Sequence, residues 1–153
     1  MKIEDILLES CVISHIQSKT KADVLRELVT ALKNARLIDN IDEAIRVVEE
    51  REKFGSTGIG DGVAIPHGKM HGLDTFLCAF GRSIDGIDFD AVDQKPVHLF
   101  FLLIAPENPV SAHLKMLSRI TKILRDPLFR KRLMELSSVH ELYTHIIEED
   151  KKL

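Results

Sequence analysis

Apolar residues recur at helical spacing early in the chain. Leu25, Leu28, Val29 and Leu32 share one face, which predicts a helix over 20–35 with Thr20 or Ser18 as its cap. A second helix is expected to start near Asn40, because Asn40 and Glu43 have capping-box spacing and Ala44, Val47 and Val48 supply a buried face. It should end near Gly55, with Arg51 in or near its last turn. Four strand-like apolar pieces follow at 63–65, 76–80, about 87–91 and 97–104, with turns expected at Asp85-Gly86 and Asp93-Gln-Lys-Pro96. The last piece is continuously apolar apart from His98, the pattern of a central strand buried on both faces. Beyond Pro106 and Pro109, a third helix is predicted to begin near Ser111 along Leu114, Leu117, Thr121 and Leu124. Asp126-Pro127 breaks it, and two further helices are expected, one over 128–136 and one from the capping box Ser138-Val-His-Glu141. This order predicts an α/β fold: a single sheet with helices on both faces, one domain over residues 1–153.

Composition narrows the function classes. With 44% hydrophobic and 29% charged residues the chain reads as a globular protein. A net charge of −3, no tryptophan and 5% aromatic residues argue against nucleic-acid binding. The longest apolar run, 97–105, is too short to insert across a bilayer, and the N-terminus lacks a signal-peptide pattern. Cys11 and Cys78 form no zinc spacing and no disulfide framework, which fits a reducing cytoplasm.

The chemistry concentrates at Gly55-Ser-Thr-Gly-Ile-Gly-Asp-Gly-Val-Ala-Ile-Pro-His67-Gly-Lys69, which holds five of the eight glycines. Backbone N–H groups in such a loop can cradle an anion. His67 beside them carries a side chain able to take and return a phosphoryl group at neutral pH. Pro66 gives the preceding segment a defined exit, and Gly68 is expected to let the chain turn directly after the ring. The glycines match neither common nucleotide loop: they precede a strand where the dinucleotide fingerprint follows one, and Gly68-Lys69 is followed by Met70. His67 and His71 are four residues apart in a non-helical context without a carboxylate or cysteine at ligand spacing, so no metal and no cofactor are expected. Arg51 would supply charge-assisted bonds to phosphoryl oxygens, and Ser56 and Thr57 hydroxyl donors. His113, in the first turn of the third helix just past the central strand, could donate to the same group or orient His67.

The segment from Arg51 to Lys69 resembles the active-site signature of the fructose/mannitol-type (type 2) IIA domains of the bacterial phosphotransferase system, and especially the nitrogen-regulatory branch. The resemblance continues through Ile87-Asp-Phe-Asp-Ala-Val-Asp-Gln-Lys-Pro-Val97, Ala112-His113-Leu114, Leu117 and Glu141-Leu-Tyr-Thr-His-Ile-Ile147. It implies a mixed sheet flanked by helices, the fold shared by these phosphotransferase domains and an anion transport protein. It implies that His67 is phosphorylated, on Nε2, by the phosphocarrier HPr or its nitrogen-branch counterpart, with Arg51 and His113 in support. It implies a cytoplasmic phosphohistidine carrier rather than a conventional multiple-turnover enzyme. Such a carrier acts on regulatory target proteins or, in the alternative, on a IIB domain during sugar uptake.

Overall fold

The computed structural model describes residues 1–153. A 3₁₀ turn at Ile3–Asp5 leads into β1 (Leu7–Ile13), then α1 (Lys21–Asn34) and α2 (Ile41–Glu52). Three short strands follow, β2 (Gly58–Gly60), β3 (Val63–Ala64) and β4 (His67–Met70), and then the long pair β5 (Leu77–Ile87) and β6 (Val97–Pro106). Three helices close the chain: α3 (Val110–Leu124), α4 (Pro127–Glu135) and α5 (Val139–Lys151). No helix is long and apolar enough to cross a membrane.

The helix ends are set by local chemistry. Thr20 accepts from Asp23 N at 3.2 Å, Asn40 from Glu43 N at 3.1 Å, and Ser138 and Glu141 complete a reciprocal capping box. Pro127 occupies the first turn of α4, where its missing N–H costs nothing, and Asp126 caps it by accepting from Leu128 N at 2.9 Å.

The six strands form one mixed sheet in the order β1-β5-β6-β3-β2, with β4 also on β6. The continuously apolar β6 is its centre, parallel to β3 and β4 and antiparallel to β5. β3 and β4 are successive pieces of one edge of β6: Val63 faces Leu99 and His67 faces Leu103. Ile65-Pro66 separates them because proline has no N–H for the ladder. Neighbouring strand residues point to opposite faces, and this places the helices. A Cβ on Gly81 would touch Leu28 of α1, whereas Arg82 reaches α4; a Cβ on Gly68 would touch Val47 of α2, whereas His67 meets α3. Helices α1 and α2 therefore cover one face, and α3 and α4 the other, with α5 packed beside α3 against β1. Forty-four buried hydrophobic residues join in one cluster between these layers.

Four expectations are corrected. Of the strand expected at about 87–91 only Ile87 is extended, in β5; Asp88 Oδ1 accepts from Asp90 N at 3.1 Å and Asp90 has φ +54°, so 88–91 is a loop. Asp85-Gly86 is not a turn between two strands but lies in a bulge of the single strand β5, between Arg82 opposite Leu99 and Ile87 opposite Val97. The chain does not turn at Gly68: β4 runs on, and the missing side chain admits the Val47 carbonyl, which a Cβ would meet at 3.1 Å. Finally, the buried stripe of α3 runs through His113, Met116, Ile120, Ile123 and Leu124, while Leu114 is 62% exposed. The helix is thus rotated by about one residue from its expected face.

One buried cation braces the sheet against the helices. Arg82 is 1% exposed and donates to the carbonyls of Ser14 (3.0 Å), Leu133 (2.9 Å) and Leu136. Its hydrogen bonds join β5, the segment after β1 and the C-terminal turn of α4, whose orphan carbonyls favour a positive charge.

Candidate functional site

The site forms where the broken edge strand meets the first turn of α3. His67 opens β4 immediately after the Pro66 interruption, and strand alternation turns its ring away from α2 and toward α3. There it meets His113 edge to face, with ring centroids 5.4 Å apart and planes at 84°. The rotation of α3 that exposes Leu114 is what brings His113 inward.

His67 is half-buried, and its Nδ1 lies 2.7 Å from the Ile65 carbonyl oxygen. A carbonyl only accepts, so Nδ1 carries the proton and donates it. In the neutral ring the lone pair then sits on Nε2, which makes Nε2 the nucleophilic nitrogen. Burial lowers the His67 pKa below the ordinary imidazole value; Arg51 lowers it further, while the Ile65 hydrogen bond and Glu52 oppose the shift. The ring is therefore neutral, with an available lone pair, at neutral pH.

His113 is 5% exposed, and neither ring nitrogen has a hydrogen-bond partner. Burial first, then His67 and Lys69, push its pKa down to about 4, so it too is neutral. A buried polar side chain without a partner is uncommon and expensive. Its ring N–H has no acceptor, directly beside the His67 ring.

The glycine loop closes the site from the other side. Arg51, in the last turn of α2, donates from Nη1 to the Gly55 carbonyl at 2.9 Å and keeps its charge close enough to act on His67. Gly55, Gly60 and Gly62 have φ of +140°, +100° and +76°. Gly58 is needed for another reason: a Cβ there would stand 2.8 Å from the Ala91 Cβ. The two hydroxyls of the loop already have partners. Ser56 Oγ donates to the Phe89 carbonyl at 2.9 Å and accepts from Gly58 N at 3.0 Å. Thr57, 4% exposed, donates its hydroxyl to Glu52. The structure thus brings His113 and the Arg51 charge up to His67, whereas the Ser56 and Thr57 hydroxyls are spent on holding the loop.

Two residues of this neighbourhood escaped sequence reasoning. The Glu52 carboxylate, 6% exposed, takes the Thr57 hydroxyl and N–H, and Lys21 Nζ lies 2.9 Å from it. Lys21 also stands 4.6 Å above the centre of the Phe89 ring. In the sequence Glu52 belongs to the charged run Glu49-Glu-Arg-Glu-Lys53, which looks like a solvated helix end. Lys21 lies far from it, at the start of α1, so nothing local in the sequence joins the two.

The chain is similar to known proteins in both sequence and fold. The chain is 38% identical over 145 residues to a nitrogen regulatory protein of Bradyrhizobium diazoefficiens, covering 94% of each. It is 37% identical over 151 residues to the fructose-specific EIIABC component of Bacillus subtilis, 99% of this chain but 24% of that longer protein. Among solved structures, the nitrogen regulatory IIA protein of Neisseria meningitidis superposes with a TM-score of 0.87 at 34% identity, covering 94% of this chain and 98% of that one. Mannitol IIA of Escherichia coli, at 20% identity over 92% of this chain and 98% of that one, shares the fold with a TM-score of 0.74. The family described as phosphoenolpyruvate-dependent sugar phosphotransferase system, EIIA 2, matches residues 5–149, and with nearly the whole chain inside that match this protein belongs to that family.

Proposed function

We propose that the chain is a cytoplasmic phosphohistidine carrier of the nitrogen-regulatory kind, phosphorylated on His67 Nε2 by HPr or its nitrogen-branch counterpart. The observation that carries the reading is the 2.7 Å contact from His67 Nδ1 to the Ile65 carbonyl, which leaves Nε2 unprotonated beside Arg51 and His113. In the transfer, the Nε2 lone pair attacks the phosphorus of the donor's phosphohistidine. The new N–P bond forms as the donor's N–P bond breaks, and the donor imidazole leaves with that electron pair. Such a loose transfer asks the protein for positioning and for charge around the phosphoryl oxygens. Arg51 supplies a cation, and a neutral His113 supplies an N–H whose acceptor arrives with the phosphoryl group. Ser56 and Thr57 act by holding the glycine loop.

The second reading, a IIA unit that hands its phosphoryl group to a IIB domain for sugar uptake, is favoured by the identity to the fructose-specific relative. Both readings use the same nitrogen and differ in who receives from it. The test is incubation with phosphoenolpyruvate, Enzyme I and HPr or its counterpart. The expected product carries one phosphoryl group, lost in acid, kept in base and absent from His67→Ala; full labelling of that variant refutes the assignment. Rapid passage of the label to a fructose-type IIB domain would select the second reading.

A further inference from the structure

A series of hydrogen bonds, joined through the backbones of Thr57 and Ile65, steps from the start of α1 to the back of the His67 ring. Lys21 Nζ meets the Glu52 carboxylate at 2.9 Å. Glu52 accepts the Thr57 N–H at 3.2 Å and the Thr57 hydroxyl. The Thr57 carbonyl accepts the Ile65 N–H at 3.0 Å. The Ile65 carbonyl accepts from His67 Nδ1 at 2.7 Å. Every link is a donor facing an acceptor, and the interior links are shielded: Thr57 and Ile65 are 4% exposed and the Glu52 side chain 6%.

We infer that Glu52, anchored by Lys21 and linked through Thr57 and Ile65, is a positioning residue that fixes the tautomer and orientation of the His67 imidazole. The inference rests on the reading of His67 as the phosphoryl acceptor and assigns the charge pair behind it a part in that chemistry.

The Ile65 carbonyl is the only group that dictates which His67 nitrogen keeps its proton. Its direction depends on the peptide plane before Pro66, and the Ile65 N–H tied to Thr57 sets where that residue sits. Thr57 in turn has both N–H and hydroxyl on one carboxylate. The links meet through the Cα atoms of Thr57 and Ile65, so the chain acts by fixing where the Ile65 backbone sits. Lys21 serves the chain twice. It pairs the buried charge of Glu52, and it sits over Phe89, whose carbonyl takes the Ser56 hydroxyl. Around His67 the other charged or titratable groups are Arg51 beside Glu52 on α2, Lys69 on β4 and His113 on α3; Asp90 stands 4.0 Å from Lys21 at the outer end.

The test separates orientation from mere stability. In the intact chain labelled with ¹⁵N-histidine, the ring nitrogen shifts of His67 report its tautomer, and their pH dependence its titration. The wild type is expected to show one tautomer, protonated on Nδ1. Thr57→Val should mix the two tautomers and slow phosphorylation about tenfold or more, the scale expected of a misplaced reacting group. Thr57→Ser, which keeps the hydroxyl, should restore both. Glu52→Gln keeps an acceptor for Thr57 but removes the negative charge, and should move the His67 titration to lower pH. A purely structural role would lower the melting temperature of these variants while leaving tautomer, titration and rate unchanged in the folded protein, and that result overturns the inference. The tautomer and titration are read without any donor protein. Failure of the wild type to accept a phosphoryl group would therefore count against the proposed function and not be confused with failure of this link.

Discussion

His113→Leu isolates the consequence of burying an imidazole without a partner. In the folded protein His113 resists protonation down to about pH 4, whereas in the unfolded chain it takes a proton near its ordinary value of 6.5. The unfolded state therefore binds more protons between these values, so stability is complete above about 6.5 and is lost as pH falls toward 4. At about 1.4 kcal/mol per pH unit, this one group removes about 2 kcal/mol between pH 7 and pH 5 and about 3 kcal/mol in full. Because His113 is 5% exposed, little of that is screened by solvent. Leucine has nearly the same volume and does not titrate. In urea denaturation at the two pH values, with unchanged m, the variant should lose about 2 kcal/mol less than the wild type on acidification. Every other ionisable group is common to the two proteins and largely cancels in the comparison. Equal losses in the two proteins would refute the claim that His113 is held neutral by burial.

Other expectations follow from the same geometry. Arg51→Ala should slow phosphorylation by ten- to a hundredfold, from charge-assisted bonds each worth roughly 1.5–3 kcal/mol, with an unchanged circular dichroism spectrum; an unchanged rate would remove Arg51 from the site. Gly58→Ala puts a Cβ 2.8 Å from Ala91 Cβ and 2.9 Å from its backbone, so it should cost roughly 1–3 kcal/mol in denaturation and slow the transfer by displacing the loop; wild-type values in both would show that the loop gives way freely. Arg82→Met leaves the carbonyls of Ser14, Leu133 and Leu136 without their donor and should destabilise by about 3 kcal/mol, measured by urea unfolding, with normal phosphorylation in the folded protein.

Much of this architecture was legible because its signals are local. The caps at Thr20, Asn40 and Ser138 and the break at Asp126-Pro127 are each made by side chains within three residues of the helix they bound. β6 announced itself by apolar residues on both faces. β1 did not, because a bulge between Leu7 and Val12 exposes Leu8, Glu9 and Ser10 in succession and destroys the alternation. β4 looked like a turn because glycine signals either positive φ or close approach, and only the neighbouring α2 decides between them. At the site, Pro66-His67-Gly68 was conspicuous, but the depth of His113 was not. The apolar residues of α3 allow two adjacent stripes, and packing against the sheet selects the one that contains a histidine. The link from Lys21 through Glu52 to Thr57 was invisible for a different reason: it is made by elements distant in sequence, and each charge on its own reads as solvated surface.

The central claim is that His67 accepts a phosphoryl group through Nε2 because Nδ1 is committed to the Ile65 carbonyl. The most direct measurement is phosphorus–nitrogen coupling by NMR in the ¹⁵N-histidine-labelled chain after phosphorylation by HPr or its counterpart. The account predicts a one-bond coupling from the single phosphorus to Nε2 of His67, with Nδ1 still protonated. Coupling to Nδ1, or to any other histidine, would contradict it.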